Sequence, residues 1–305
     1  MRSLGKIFLY LAAVLLAGAL AAPQAWKLIQ GLPPEWLGGL AGEVQRMPFH
    51  RYLSRSLQVA AVVLLWPLLR WLNVRSLREL GLLRNPCPAR DAAAGVLPGL
   101  AGSLVLQAVL LLSGAFVLRG GWSPSVLPKI LLSAAVVALL EEFLFRGVVL
   151  GFCRQSLGAT GAVLLSSLLF AMVHFLNLPA AGAGSPPGCW SGLALLGEVG
   201  HSFPTPPLFG WSFATLCAAG LLLGWLTVRT ASLWAAAALH GSWILGQQLF
   251  NSLALFREGL LPLAGAPQCH GMVPVGLAPL GSLLLAGLLA GWLLRHRPRP
   301  SPVSS

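Results

Sequence analysis

The sequence predicts an all-α polytopic membrane protein of about eight transmembrane helices, and three observations carry that expectation. The 305 residues are 56% hydrophobic and only 9% charged, whereas a soluble domain of this size carries about 25% charged residues. Apolar runs long enough to cross a hydrocarbon core, about 20 residues each, recur along the whole chain. Between them lie stretches enriched in Gly, Pro and basic residues.

The first run, 4–22, follows Arg2 and Lys6 and stops before Pro23. Ala19-Leu20-Ala21 is similar to a signal-peptide cleavage site, but the run is long enough to be kept as a spanning helix, which is the reading preferred. Residues 23–56 read as a polar-leaning connection ending in the basic group Arg46, Arg51 and Arg55. Further spans are expected near 57–72, 92–117, 126–150, 159–176, 212–228, 231–250 and 275–294. Arg75, Arg78, Arg84 and Arg90 mark 73–91 as a surface segment on the cytoplasmic side, and 177–210, rich in Gly, Pro and Ser, is the longest loop. The chain divides into 1–56, a first helix and its connection; 57–255, a core; and 256–305, a last helix and basic tail. No internal repeat of the kind that builds inverted-repeat transporters is visible. Eight spans place both termini on one side. The distribution of Lys and Arg predicts N-in, C-in in a bacterial cytoplasmic membrane, with the basic group at 46–55 as the one opposing signal.

The net charge of +12 in a soluble chain would suggest nucleic acid. Here the basic residues sit beside apolar runs, which reads as topology and contact with anionic lipid, and no nucleic acid is expected. The five cysteines have no C-x-x-C or zinc-type spacing. Cys189 and Cys269 fall in loops expected on one side, so a disulfide between them stays open. Glu198 and His201 are spaced as a Glu-x-x-His pair, but in a loop with no further ligands nearby they read as solvated residues.

The chemistry concentrates in Glu141-Glu142-Phe143-Leu144-Phe145-Arg146. A charge at the centre of a spanning helix costs about 2.5–3.5 kcal/mol on insertion scales, so three within two turns need a reason. Glu142 and Arg146 are four apart and can pair on one helix face; Glu141 is turned about 100° away and needs another partner. A structural ion pair beside a protonated Glu is the plain explanation. A carboxylate held for chemistry is the sharper one, since intramembrane ionisable groups mark functional sites. Of eight acidic residues only Glu141 and Glu142 lie inside apolar spans, and of six histidines only His174 and His240. One carboxylate and two imidazoles form a minimal hydrolytic set, in which Glu takes a proton from water and His polarises a carbonyl or protonates a leaving amine. The same set matches a zinc site with two His and one Glu.

In order along successive apolar spans, Glu141-Glu142-x-x-x-Arg146, Phe170-x-x-x-His174, and Arg229-Thr-Ala-Ser-Leu-Trp234 leading into His240 resemble the CPBP intramembrane proteases. That family comprises type II CAAX prenyl endopeptidases and bacteriocin-processing or Abi proteins. Glu79-Leu-Gly-Leu adds to the likeness, which covers roughly 57–255 and makes that segment the protease core. The resemblance implies an eight-helix α fold that hydrolyses a peptide bond of a membrane-associated or lipid-modified protein or peptide within the bilayer. It implies that Glu141 activates water, that His174 and His240 bind or polarise the reacting oxygen, and that Glu142, Arg146 and Phe170 support them. The family is described both as metal-free glutamate proteases and as metalloproteases. The expectation is that no cofactor is needed; if a divalent metal such as zinc is bound, Glu141, His174 and His240 are its ligands. The family often carries Asn or Asp four residues after the last His, where this chain has Ile244. Gln247, seven residues on and near the same face, is a partial substitute. The alternative function is a non-catalytic membrane protein of the same fold in an immunity, scaffold or chaperone role, with a proton-coupled transporter as a third class.

Overall fold

The computed structural model describes residues 2–37, 44–74, 85, 87–175, 186–199, 206–257, 266–267 and 274–296. The helices are α1 (Arg2–Gly31), α2 (Pro34–Leu37), α3 (Phe49–Trp71), α4 (Pro88–Leu112), α5 (Leu127–Glu142), α6 (Gly151–Val173), α7 (Ser191–Gly197), α8 (Pro206–Thr230), α9 (Trp234–Leu253) and α10 (Leu277–Leu293). A π-helical segment, Phe143–Leu150, joins α5 to α6. Two short antiparallel ribbons pair β1 (Phe116–Leu118) with β2 (Ala254–Phe256), and β3 (Ala266–Pro267) with β4 (Pro274–Val275). The all-α membrane fold expected from composition is what the chain adopts. Glu79 and its neighbours, His201, Cys269, Arg75, Arg78, Arg84, Arg297 and Arg299 lie outside the described residues.

The chain forms two compact units, Met1–Arg75 with Phe175–Phe203, and Ser76–His174 with Pro204–Ser305. In the first, α1 and α3 form an antiparallel pair, with Tyr10 donating to the Ala61 carbonyl at 2.7 Å and Lys6 to the Trp71 carbonyl at 2.6 Å. Contrary to expectation, Pro23 does not end the first helix, which runs on to Gly31. A proline inside a helix strips the donor from the carbonyl four residues back, here that of Ala19. Gly192 of α7 lies so close to this oxygen that a Cβ there would overlap it, so α7 packs directly onto the notch. The expected loop 177–210 therefore contains a helix, and Leu195 joins Ala19, Ala22 and Leu53 in a buried cluster. The second span also starts earlier than 57. From Phe49 the helix is amphipathic, with Tyr52, Leu53 and Ser56 buried while Arg51 and Arg55 stay exposed.

The second unit is packed through small residues. A Cβ on Gly95 would overlap the Ala235 carbonyl; on Gly99 it would lie 2.7 Å from Ser242 Cβ, and on Gly102 2.9 Å from the Ser282 carbonyl oxygen. Bare backbone on α4 thus lets α9 and α10 approach closely, the usual way helices associate where lipid removes the hydrophobic drive. Ala94, Leu223, Leu226, Ala235, Ala236, Leu239, Ala286 and Ala290 fill the core they enclose. α4 stops at Leu112 rather than near 117, because Ser113 and the positive-φ Gly114 turn the chain into β1.

Among the described residues, each apolar run of the sequence falls mainly on helix. Five stretches are long and apolar enough to cross a membrane among the described residues: Gly5–Gly31, Phe49–Trp71, Pro88–Leu112, Pro124–Val173 and Phe209–Thr230. The fourth contains two of the expected spans, which are not separated by a loop. The helix continues past Leu150 and breaks only at Gly158, whose φ of 68° suits glycine alone. Of the remaining two, α10 is short at 17 residues, and α9 carries His240, Gln247, Gln248 and Asn251 among its apolar positions.

Filling the α4–α9 contact is expected to separate these helices. Gly99→Val should lower the melting temperature of the detergent-solubilised protein by several degrees, whereas Gly281→Ala on α10, where nothing lies within 4 Å of the added Cβ, should leave it unchanged. Equal melting temperatures for the two variants would refute the close packing.

Candidate active site

The site begins where α5 passes into the π-helical segment, directly after the two glutamates. A π-helix is rare and concentrates at functional positions, and this one holds Arg146. Glu142 and Arg146 are fully buried and pair at 3.0 Å. The same carboxylate oxygen, Glu142 Oε1, also accepts a bond at 2.9 Å from His240 Nδ1, across to α9. Arg146 donates its second Nη to the Gly220 carbonyl of α8 at 3.2 Å, and its guanidinium lies 4.5 Å from the Phe170 ring centroid. A Cβ on Gly220 would stand 2.9 Å from Ser167, so glycine is what brings that carbonyl within reach.

Phe170 is the apolar centre of the group. Its ring lies 4.4 Å from that of His174, 5.8 Å from His240 and 5.3 Å from Phe145. Its carbonyl accepts from His174 Nδ1 at 2.7 Å. His174 caps the end of α6. His240 sits two turns into α9, whose start is set by the Arg229–Trp234 motif. There Ala231 takes a positive φ, Thr230 Oγ1 donates to the Ser232 carbonyl, and Ser232 Oγ accepts from the Trp234 amide. Arg229 donates to the Leu294 carbonyl, and Asn85 bridges Ser232 to the buried Asp91.

Glu141 points away from the Glu142 pair, as helix geometry requires, and its Oε2 lies 3.9 Å from His174 Nε2 and 3.8 Å from His240 Nε2. Glu141 and His174 keep 30% and 27% side-chain exposure against 8% for His240, so the group is open from the Glu141–His174 side. Glu141 Oε2 and Glu142 Oε2 are buried atoms without a hydrogen-bond partner among the described residues. Every residue singled out on the four elements is thus brought together, except Gln247. That side chain donates to Asn251 at 2.9 Å, a turn further from the glutamates, and does not join them.

The bonds fix the imidazole chemistry. A carbonyl oxygen only accepts, and Glu142 Oε1 already accepts from Arg146, so both Nδ1 atoms are read as donors that carry protons. Each Nε2 is therefore the reactive nitrogen. It is a lone-pair acceptor when the ring is neutral and an acidic N–H when it is charged. Two such nitrogens converge on one carboxylate oxygen, which is the equipment for moving a proton between water and a leaving group. Ligands about 2.0–2.2 Å from a tetrahedral zinc stand closer together than these 3.8–3.9 Å spacings. Among the described residues no group of three His, Cys, Asp or Glu is arranged to hold a metal ion.

Residues 123–245 match the family model Rce1-like, described as type II CAAX prenyl endopeptidase Rce1-like. Over this segment, less than half of the chain, the sequence is similar to that family. The match agrees with the CPBP resemblance of the motifs and is narrower than 57–255. The Rce1-like segment includes both glutamates, Arg146, Phe170 and both histidines, and stops short of Gln247. No curated protein and no solved structure matches the chain. Taken together, the apolar helices and the match are those of a multi-pass membrane protein with a segment similar to type II CAAX prenyl endopeptidases.

Glu142→Gln is expected to destabilise the protein by about 3–5 kcal/mol, because it leaves Arg146 buried without its counter-charge. Glu142→Gln with Arg146→Gln should recover part of that stability. It should not recover any function that needs the His240 tautomer. Thermal unfolding of the three proteins in one detergent checks this, and a Glu142→Gln variant as stable as the parent would contradict it.

Proposed function

We propose that the chain is an intramembrane endopeptidase that hydrolyses a peptide bond of a membrane-associated or lipid-modified protein or peptide. The observation that carries this reading is the placement of Glu141 Oε2 between two Nε2 atoms in an otherwise apolar bundle. Glu141 takes a proton from a water molecule, whose oxygen attacks the substrate carbonyl carbon. Once protonated at Nε2, His174 or His240 donates to the developing oxyanion. The C–N bond then breaks, and the proton gained by Glu141 passes to the leaving amine. Glu142 acts through His240, holding its Nδ1 proton and so keeping Nε2 aimed at the reaction; Arg146 and Phe170 hold Glu142 and the rings in place. This cycle needs no metal. Arg90 and Arg229 both bond to carbonyls at the end of α10, beside Arg295, which supports a C-in end; with the spread of basic residues along the sequence, the proposal is N-in, C-in in a bacterial cytoplasmic membrane.

Glu141→Gln keeps the shape of the side chain and removes the base. The variant should insert and unfold at the parental temperature, while cleavage of a fluorogenic prenylated CAAX peptide by the purified protein falls about 10²–10⁴-fold. Intact cleavage by Glu141→Gln would overturn the assignment.

Dialysis of the parent protein against a strong chelator should leave its rate unchanged. Loss of activity that zinc restores would replace the glutamate mechanism by a metal-dependent one on the same three residues.

A further inference from the structure

Beyond the glutamates, α9 carries polar residues that the proposed reaction does not use. Two flanking positions are tied to neighbouring helices. Gln107 of α4 donates to the Gly246 carbonyl at 2.9 Å, and Gln248 donates to Ser133 of α5 at 3.1 Å. Gln247 differs. It follows His240 by seven residues and precedes Asn251 by four, so the three share one face of α9. Its single described bond is to Asn251 on the same helix, and its carbonyl oxygen is uncommitted among the described residues. Ile244, Gln247 and Asn251 are all half-exposed. α6, which brings Phe170 and His174 against His240, ends at Val173.

A primary amide half-buried in an apolar helix is costly unless a partner uses it. Its position identifies that partner. Seven residues of helix place Gln247 about 10 Å from His240 along the axis, which an extended chain at about 3.3 Å per residue covers in three residues.

We infer that Gln247 is a substrate-positioning residue whose amide hydrogen-bonds the main chain of an extended peptide about three residues from the scissile bond. The inference rests on the endopeptidase reading. Its partner is the peptide backbone, so it favours extended chains of many sequences over one side chain. Asn251 holds the Gln247 amide so that the Gln247 carbonyl faces the peptide.

The test uses binding, so that it remains readable whether or not the protein cleaves. A fluorescein-labelled prenylated CAAX peptide is titrated into the full-length Glu141→Gln protein in detergent and followed by anisotropy. A series of the same peptide carries an ester in place of one amide at each position around the expected bond. Gln247→Met, close in shape, should weaken binding of the all-amide peptide about three- to tenfold, the range of one net hydrogen bond. One ester should weaken binding to the Gln247 protein by a similar factor and have no further effect on the Gln247→Met protein. Equal affinities with Gln and Met at 247 would overturn the inference, as would an ester effect that persists undiminished in Gln247→Met. Should Gln247→Met fail to fold, the ester series on Asn251→Leu, which frees the Gln247 amide, decides in its place: loss of the single-position ester effect supports the inference and its full retention refutes it. This binding pattern in the Glu141→Gln protein, with no cleavage of the same peptide by the parent protein, would refute the proposed function and leave the docking role standing.

Discussion

One carboxylate oxygen, Glu142 Oε1, organises the second unit. It accepts from Arg146 on its own helix and from His240 on another, at 3.0 and 2.9 Å. Two donors on one buried carboxylate offset a desolvation that neither would offset alone. The guanidinium then reaches on to the Gly220 carbonyl and the Phe170 ring. In this way α5, the π-helical segment, α6, α8 and α9 are joined by one charged node. The close approach of the helices around it depends on residues without bulk, Gly220 beside Ser167 and Gly95 and Gly99 beside α9.

The sequence made the members of this node legible because membrane interiors hold so few polar groups. Glu141, Glu142, Arg146, His174 and His240 stood out by cost alone, and the four-residue spacing of Glu142 and Arg146 was enough to foresee their pair. Other features were hidden for identifiable reasons. Whether His240 Nδ1 meets a carboxylate depends on how α9 lies against α5, which no spacing within one helix encodes. The π-helical segment has no residue signature, because its change from i+4 to i+5 bonding is a response to packing. Gly220 reads as one glycine among 35 until the arginine that uses its carbonyl is placed.

The first unit shows a related limit. Pro23 reads as a helix end because proline removes a donor. The helix nevertheless continues, with α7 packed at the carbonyl left over. The short helix that does so lies within a Gly-, Pro- and Ser-rich stretch whose composition reads as loop, and its seven residues show too little periodicity to stand out.

Two adjacent glutamates in one helix thus have opposite surroundings, and that contrast is what makes the arrangement intelligible. Glu142, enclosed and paired, fixes where protons sit on His240. Glu141, partly exposed and facing two Nε2 atoms, has no cation four residues on, because Phe145 stands there. Were both glutamates paired with arginines, the site would be a structural ion cluster with no group free to exchange a proton. Were both unpaired, nothing would hold His240 in one tautomer. A hundred degrees of helical rotation separates the two side chains, so adjacency in sequence is what would allow one helix to supply, in the proposed cycle, both the fixed charge and the exchangeable one.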